Sequence, residues 1–78
     1  MARLLLFGPA REAAGVASAT VAADDVAGVL RWAQTAYGPA FAEVLTRSRI
    51  WVNGDGAGPE EPVGDDDEVA IIPPVSGG

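Results

Sequence analysis

This 78-residue chain contains no cysteine and no histidine. It can therefore form no disulfide, has no thiolate nucleophile or imidazole base, and lacks the usual ligands of zinc sites. Most self-contained enzyme chemistry is excluded by these absences. We expect the chain to bind no metal and no cofactor of its own.

Basic residues and long apolar runs are also scarce. Five Lys and Arg residues stand against eleven Asp and Glu residues, which gives a formal net charge of -6. Such a surface repels phosphate backbones and anionic lipid, so we expect neither nucleic acid nor membrane partners. No run approaches the roughly 18 apolar residues of a spanning helix, and Leu4 to Phe7 is too short for a signal peptide. The expected location is the cytoplasm.

Hydrophobic residues make up 49% of the chain, and their pattern predicts four strands. Continuous apolar runs before turn-forming Gly or Pro residues are typical of buried strands, whereas alternation is typical of half-buried ones. The segment PAREAAG, after Gly8, is predicted to be a loop, and residues 54–64 an exposed, mobile one. The predicted strands are Arg3 to Phe7, Val16 to Ala23, Arg49 to Asn53 and Val69 to Ile72.

One main helix is predicted between the second and third strands. Asp is a residue type favoured at helix N-caps, so Asp24 and Asp25 indicate a helix start. Gly38-Pro39 is a strong helix stop signal. Between them, an apolar stripe has helical spacing and should face the core. The segment PAFAEVLTR should add a shorter helical turn. The stripe consists of Val26, Val29, Leu30, Ala33 and Tyr37, and the shorter turn should bury Phe41, Val44 and Leu45.

The order strand, strand, helix, strand, strand favours an α+β fold. The first and last strands are the most continuously apolar, so we place them side by side and parallel at the centre, with the helix in the crossover between them. This is the ubiquitin-like β-grasp arrangement: a mixed sheet of four to five strands with one main helix across one face. Residues 1–78 are interpreted as a single domain with a flexible C-terminal tail, 73–78.

Three large apolar residues are predicted to share the sheet face away from the helix. Because side chains alternate along a strand, Trp51 should point away from the side that Ile50 and Val52 face. The same alternation places Phe7 and Ile72 with Trp51. Scattered surface apolars are normal, but three that converge indicate a docking patch. Trp32, at the edge of the helix stripe, should serve in boundary packing.

The tail is the other unusual feature. Pro73 and Pro74 cannot continue a sheet interior and stiffen the exit of the chain from the domain. Gly77 and Gly78 have no Cβ, so they can thread a passage too narrow for other residues and bring a carboxylate to another protein's reactive centre. These residues predict that the tail is the functional part of the molecule.

The segments DEVAIIPPVSGG, VNGD and LLLF, with the pair Arg11 and Glu12, resemble the molybdopterin synthase small subunit, the MoaD family. The resemblance implies a sulfur carrier that is not catalytic alone. A ubiquitin-activating-like adenylyltransferase would use ATP to adenylate Gly78, and sulfur would then give a thiocarboxylate. The large subunit, in a heterotetramer, would receive the tail and pass the sulfur to a pyranopterin. The predicted contacts to partners are those of the docking patch and the tail, with Gly77 threading the channel: Phe7, Trp51, Ile72, Pro73, Pro74, Val75 and Ser76.

Two alternatives stay open at this point. The same tail could feed another sulfur pathway, such as the thiazole of thiamine, or the chain could be a ubiquitin-like modifier or plain binding module. The sequence also departs from the family pattern at two positions. Ala10 stands where the family often has Leu, which concerns the packing of the first loop. Asp66 replaces a turn glycine, and we expect it to accept a left-handed conformation at a small local cost.

Overall fold

The computed structural model describes residues 1–73. Within these residues no helix is both long enough and apolar enough to cross a membrane. The elements follow one another as β1 (Ala2–Leu6), α1 (Gly8–Ala14), β2 (Ser18–Val21), α2 (Val26–Tyr37), α3 (Pro39–Leu45), β3 (Arg49–Val52), β4 (Asp55–Gly56) and β5 (Glu68–Ile72).

The strands form one mixed sheet in the order β2-β1-β5-β3-β4. The central pair, β1 and β5, is parallel, with Leu4 opposite Val69 and Leu6 opposite Ile71. All other pairings are antiparallel. The predicted α+β, β-grasp topology is therefore confirmed, including the parallel centre and the antiparallel pairing of the first two strands.

The core lies between the sheet and the helices. Leu4 and Val69 of the central strands are fully buried, as are Val29 and Ala33 of α2. The shorter predicted helix is also present, and its Phe41 is fully buried while Val44 and Leu45 pack against the core from partly buried positions. Each of these positions was predicted from its spacing in the sequence.

The N-terminus of α2 is held by the segment that was predicted to be an exposed, mobile loop. The Asp25 side chain accepts a hydrogen bond from the Gly28 amide at 2.8 Å, which confirms it as the N-cap. The amides of Val26 and Ala27 donate to the carbonyls of Glu61 and Pro59. Because the first amides of a helix have no partner within the helix, these carbonyls satisfy them. Residues 54–64 are mostly exposed, as predicted, and their mobility stays a prediction; the buried Val63 is a further contact of this segment with the core.

The segment predicted to be the first loop is instead the short helix α1. Pro9 lies in its first turn, and Gly15 ends it with a left-handed φ of 79° and an amide that donates to Arg11. Proline near the start and glycine after the end are typical helix boundaries, which the sequence interpretation overlooked. Ala10 is 1% exposed, so its small side chain packs in the core where the family often has Leu.

Two turns position the polar edge of the sheet. Asn53 and Gly54 have φ values of 51° and 88° and join β3 to β4 in a two-residue hairpin, as Asn-Gly predicts. Among the described residues, only Asn53 combines a side chain with positive φ. The prediction that Asp66 adopts a left-handed conformation is therefore wrong. The second turn, residues 64–67, is closed by Asp67, whose carboxylate accepts a hydrogen bond from the Gly64 amide at 2.7 Å.

Candidate docking face and tail base

The structure brings Phe7, Trp51 and Ile72 together on the sheet face away from the helices. They border one shallow depression of about 250 Å³. Phe7 is 46% exposed, whereas Trp51 and Ile72 are half-buried. The predicted alternation is correct, because Ile50 and Val52 pack on the core side. The depression is lined by Leu5, Phe7, Trp51, Asn53, Gly54, Glu68, Ala70 and Ile72, and the apolar members Leu5, Phe7, Trp51, Ala70 and Ile72 are called the docking face below.

Strand register explains why these residues form a continuous surface. Ala70 of β5 lies opposite Leu5 of β1 on one side and Trp51 of β3 on the other. The small Ala70 leaves a depression between these two larger side chains. Leu5 and Ala70 were absent from the predicted site, although the same alternation that selected Phe7 and Ile72 would have found them.

Charged residues border the docking face at both ends. Arg49 is exposed and lies opposite Ile72 in the β3–β5 ladder, near the start of the tail. At the far end, Arg3 lies opposite Glu68, and its guanidinium is 3.2 Å from the Glu68 carboxylate. Both partners of this ion pair are exposed, so it contributes little to stability and stays available to a partner.

A hydrogen-bonded network fixes the polar end of the docking face. The Asn53 side chain donates to the Asp67 carboxylate at 2.9 Å and accepts from the Glu68 amide at 3.0 Å. The hydrogen bond from Asn53, followed by that from the Gly64 amide, lowers the pKa of Asp67 below its ordinary value. Hydrogen bonds to the carboxylate therefore favour the charged form of Asp67 at this rim.

Pro73 packs on the helix side of the sheet at the base of the tail. It is half-buried and borders an apolar groove of about 220 Å³ between α1 and α3. The sequence predicted a stiff exit at this proline but not the groove. The groove is lined by Pro9, Glu43, Val44, Arg47, Ser48 and Pro73. The other predicted tail residues, Pro74, Val75, Ser76, Gly77 and Gly78, lie outside the described residues.

Trp32 lies apart from the docking face, on α2. It is 39% exposed and contacts Tyr37 edge to face, with ring centroids 5.7 Å apart. This agrees with the predicted boundary packing. Trp32 also borders the largest depression, about 520 Å³, together with Asp25 and Arg31. That depression is shallow and open to solvent, and it is remote from the tail base.

The described residues offer an apolar surface suited to binding a partner. Nowhere in residues 1–73 do three or more carboxylate side chains converge so that they could hold a metal ion. What the arrangement can do is dock a partner on an apolar face with charged ends. The chain then leaves this face at Ile72 and turns through Pro73 into the tail.

A family model described as the ThiS family matches residues 4–78. Among solved structures, the small archaeal modifier protein 1 (SAMP1) from Methanosarcina acetivorans is 30% identical, with a TM-score of 0.87 over 99% of this chain and 95% of that chain. SAMP1 from Haloferax volcanii is 30% identical, with a TM-score of 0.78 over 99% and 98%. A chain in the complex of subunits 1 and 2 of molybdopterin-converting factor from Helicobacter pylori is 23% identical, with a TM-score of 0.75 over 99% and 97%. No curated protein sequence matches this chain.

Proposed function

This chain belongs to the ThiS family, and from that premise we propose that it is a sulfur carrier that works through Gly78. Its carboxylate would attack the α-phosphate of ATP in an activating enzyme, which forms an acyl adenylate and releases pyrophosphate. A sulfur donor would then displace AMP and leave a thiocarboxylate. An unactivated carboxylate is a poor acyl donor, so the adenylate supplies the leaving group that the sulfur step requires.

One observation carries this proposal: the docking face runs directly into the base of the tail. Ile72 belongs to the docking face, and the next residue, Pro73, is the first residue of the tail. A partner that docks on this face is therefore beside the point at which the tail leaves the domain. The surface and the tail form one functional unit, in which the surface recognises the partner and the tail delivers the terminal group.

The charges on the docking face indicate the chemistry of the partner. Large apolar side chains at an interface centre supply most of the binding energy, while charged rims set orientation and rate. The far end carries the carboxylates of Glu68 and Asp67, of which Glu68 is paired with Arg3, and the whole chain carries a charge of -6. We propose partners with an apolar centre and a basic rim that meets Glu68 and Asp67.

We propose molybdopterin synthase as the pathway partner, with this chain as the small subunit of a heterotetramer. The large subunit would receive the tail and supply the catalytic residues that transfer sulfur to a pyranopterin. The segment PPVSGG, with its double proline, supports this choice, as does the fold shared with the subunit complex from Helicobacter pylori. The chain would act as the sulfur-carrying subunit of the enzyme and would not be catalytic alone.

A second function, protein modification, is favoured by the 30% identity to SAMP1, whose name describes a modifier. In that role the activated Gly78 acyl group would be transferred to an amine of another protein and form an amide bond. Both functions need the same activation step, so they differ in the acceptor. A thiazole pathway would share the thiocarboxylate and differ in the enzyme that receives it.

The experiment is an intact-mass measurement after incubation with the cognate activating enzyme, ATP and a sulfide donor. Sulfur carriage predicts a mass gain equal to the replacement of one oxygen by sulfur, located on the last residue by fragmentation. The product is then mixed with the large subunit and the cyclic pyranopterin, and dithiolene formation is measured. Absence of the thiocarboxylate contradicts sulfur carriage, and amide-linked conjugates in its place support the modifier function.

A further inference from the structure

We propose that Gly8 is a positioning residue that seats Pro73 and so sets the direction in which the tail leaves the domain. This inference rests on the proposed role of the tail and concerns a residue outside the docking face. Gly8 is the first residue of α1, and Pro73 follows the last residue of β5. The two meet because β1 and β5 run parallel and end at the same edge of the sheet.

A side chain at residue 8 would press on the Pro73 ring and displace it by a few tenths of an ångström. A Cβ built on Gly8 would lie 3.2 Å from Cγ of Pro73 and 3.5 Å from its Cδ. Contacts of 3.2 Å between carbons are tighter than ordinary van der Waals separation, so the proline ring would have to move. Gly8 also has a left-handed φ of 54°, which few residues with a side chain adopt readily.

The surroundings hold the ring in this position from other directions. The Phe7 amide donates to the Ile71 carbonyl at 3.2 Å, so the pairing of β1 with β5 continues up to the residue before Gly8. Away from Gly8, Pro73 borders the groove that also contains Pro9 and Val44. We call Gly8, Pro9 and Val44 the proline seat.

The seat fixes where the tail begins relative to the docking face. Ile72 points to the open face and Pro73 to the helix side, so the chain is held on both sides of the sheet at consecutive residues. A bound partner therefore meets a tail whose first residue has a defined direction. Positioning of a reacting group within about 1 Å affects rates by about a hundredfold, so displacement of Pro73 should slow activation of the terminal carboxylate.

The test compares Gly8→Asn with the matched control Gly15→Asn. Asn is chosen because it tolerates a left-handed backbone better than other residues with side chains. Gly15 has a similar φ of 79°, but a Cβ there would meet nothing within 4 Å. We measure kcat and KM for adenylation of the carrier by the cognate activating enzyme, using pyrophosphate release as the assay. The melting temperature of each variant is measured separately.

We expect Gly8→Asn to lower kcat by about tenfold to a hundredfold with little change in KM, because the docking face is intact. Gly15→Asn should leave both constants unchanged. Gly8→Asn should also melt about 4 to 8 °C below Gly15→Asn, because its side chain overpacks against the ring. The double variant Gly8→Asn/Pro73→Ala, which removes the ring, should recover the melting temperature relative to Gly8→Asn but not kcat, because the ring that directs the tail is lost.

Equal kcat values for the Gly8 and Gly15 variants would overturn the proposal, as would a loss that appears in KM alone. If the parent protein is not adenylated at all, the proposed function fails. The contact between Gly8 and Pro73 is then tested by melting temperatures alone. A smaller effect of Gly8→Asn in the Pro73→Ala background then supports the contact between the two residues. Additive effects of the two substitutions count against it.

Discussion

Leu6 is 2% exposed and Phe7, the next residue, is 46% exposed on the other side of the sheet. The same contrast separates Ile71, fully buried under the helices, from the half-buried Ile72. One side of the sheet therefore builds the core, and the other side presents apolar groups and leads into the tail. If the proposed recognition role of the docking face is correct, folding and recognition depend on alternate residues of β1 and β5 and can be perturbed separately.

The largest expected effect comes from the end of the tail. Deletion of Gly78 should abolish sulfur transfer, because the terminal carboxylate would then lie on Gly77, one residue short of its position in the parent protein. The melting temperature should change little, because the core is formed within residues 2–71. Replacement of Gly77 by Leu should likewise block threading without unfolding the domain. Sulfur transfer by the truncated protein at the parental rate would contradict the mechanism.

The next largest effect should come from the helix side of the sheet. Leu6→Ala should destabilise the domain by roughly 2 to 5 kcal/mol, because it removes buried methyl groups and leaves a cavity. Chemical denaturation measures this change. Leu5→Ala, one residue earlier and half-buried on the docking face, is the matched control and should cost clearly less. Equal losses for the two variants would mean that the sheet faces do not differ in the way described.

On the docking face, Trp51→Ala should weaken binding to the large subunit by about tenfold to a hundredfold. Burial of one large apolar side chain at an interface contributes roughly 1.5 to 3 kcal/mol. Trp32→Ala provides the control, because Trp32 is a tryptophan with an exposed side chain that lies on α2, apart from the docking face. Affinity is measured by calorimetry, with the melting temperature of each variant beside it. If both tryptophan variants bind as tightly as the parent, the docking face is ordinary surface.

The smallest effect should come from the polar rim. The pKa of Asp67 is lower in the folded protein than its ordinary value of 3.8. Its contribution to stability is therefore fully present above about pH 4 and lost as the pH falls through the lowered folded pKa. Asp67→Asn should melt slightly below the parent at pH 7, and the two melting temperatures should converge as the pH falls below the lowered folded pKa of Asp67. A difference in melting temperature that does not change with pH would show that the charge of Asp67 does not cause the destabilisation.

The sequence predicted those features that depend on periodicity. The strand pairing at the centre, the buried stripe of α2 and the shared face of Phe7, Trp51 and Ile72 all follow from regular alternation or helical spacing. Their roles in partner binding stay predictions. Leu5 and Ala70 follow the same alternation, which therefore predicts them as well.

The features that the sequence did not predict depend on contacts between distant segments. Residues 54–64 are polar and rich in glycine, yet the carbonyls of Pro59 and Glu61 satisfy the amides at the start of α2. The groove beside Pro73 forms where α1 and α3 approach the end of β5. Neither arrangement has a local pattern. The helix α1 is different, since Pro9 and Gly15 carried a local signal for it.

The position of β5 has a consequence for biosynthesis. It is the last of the described strands to be translated, yet it lies between β1 and β3 at the centre of the sheet. A nascent chain that has not reached Glu68 can pair β1 only with β2, and β3 only with β4, so the middle of the sheet is missing. Chains of this kind expose unpaired strand edges, which are prone to aggregation. The domain is thus expected to complete its fold only after β5 has left the ribosome, and an interrupted chain would present neither the docking face nor the proline seat.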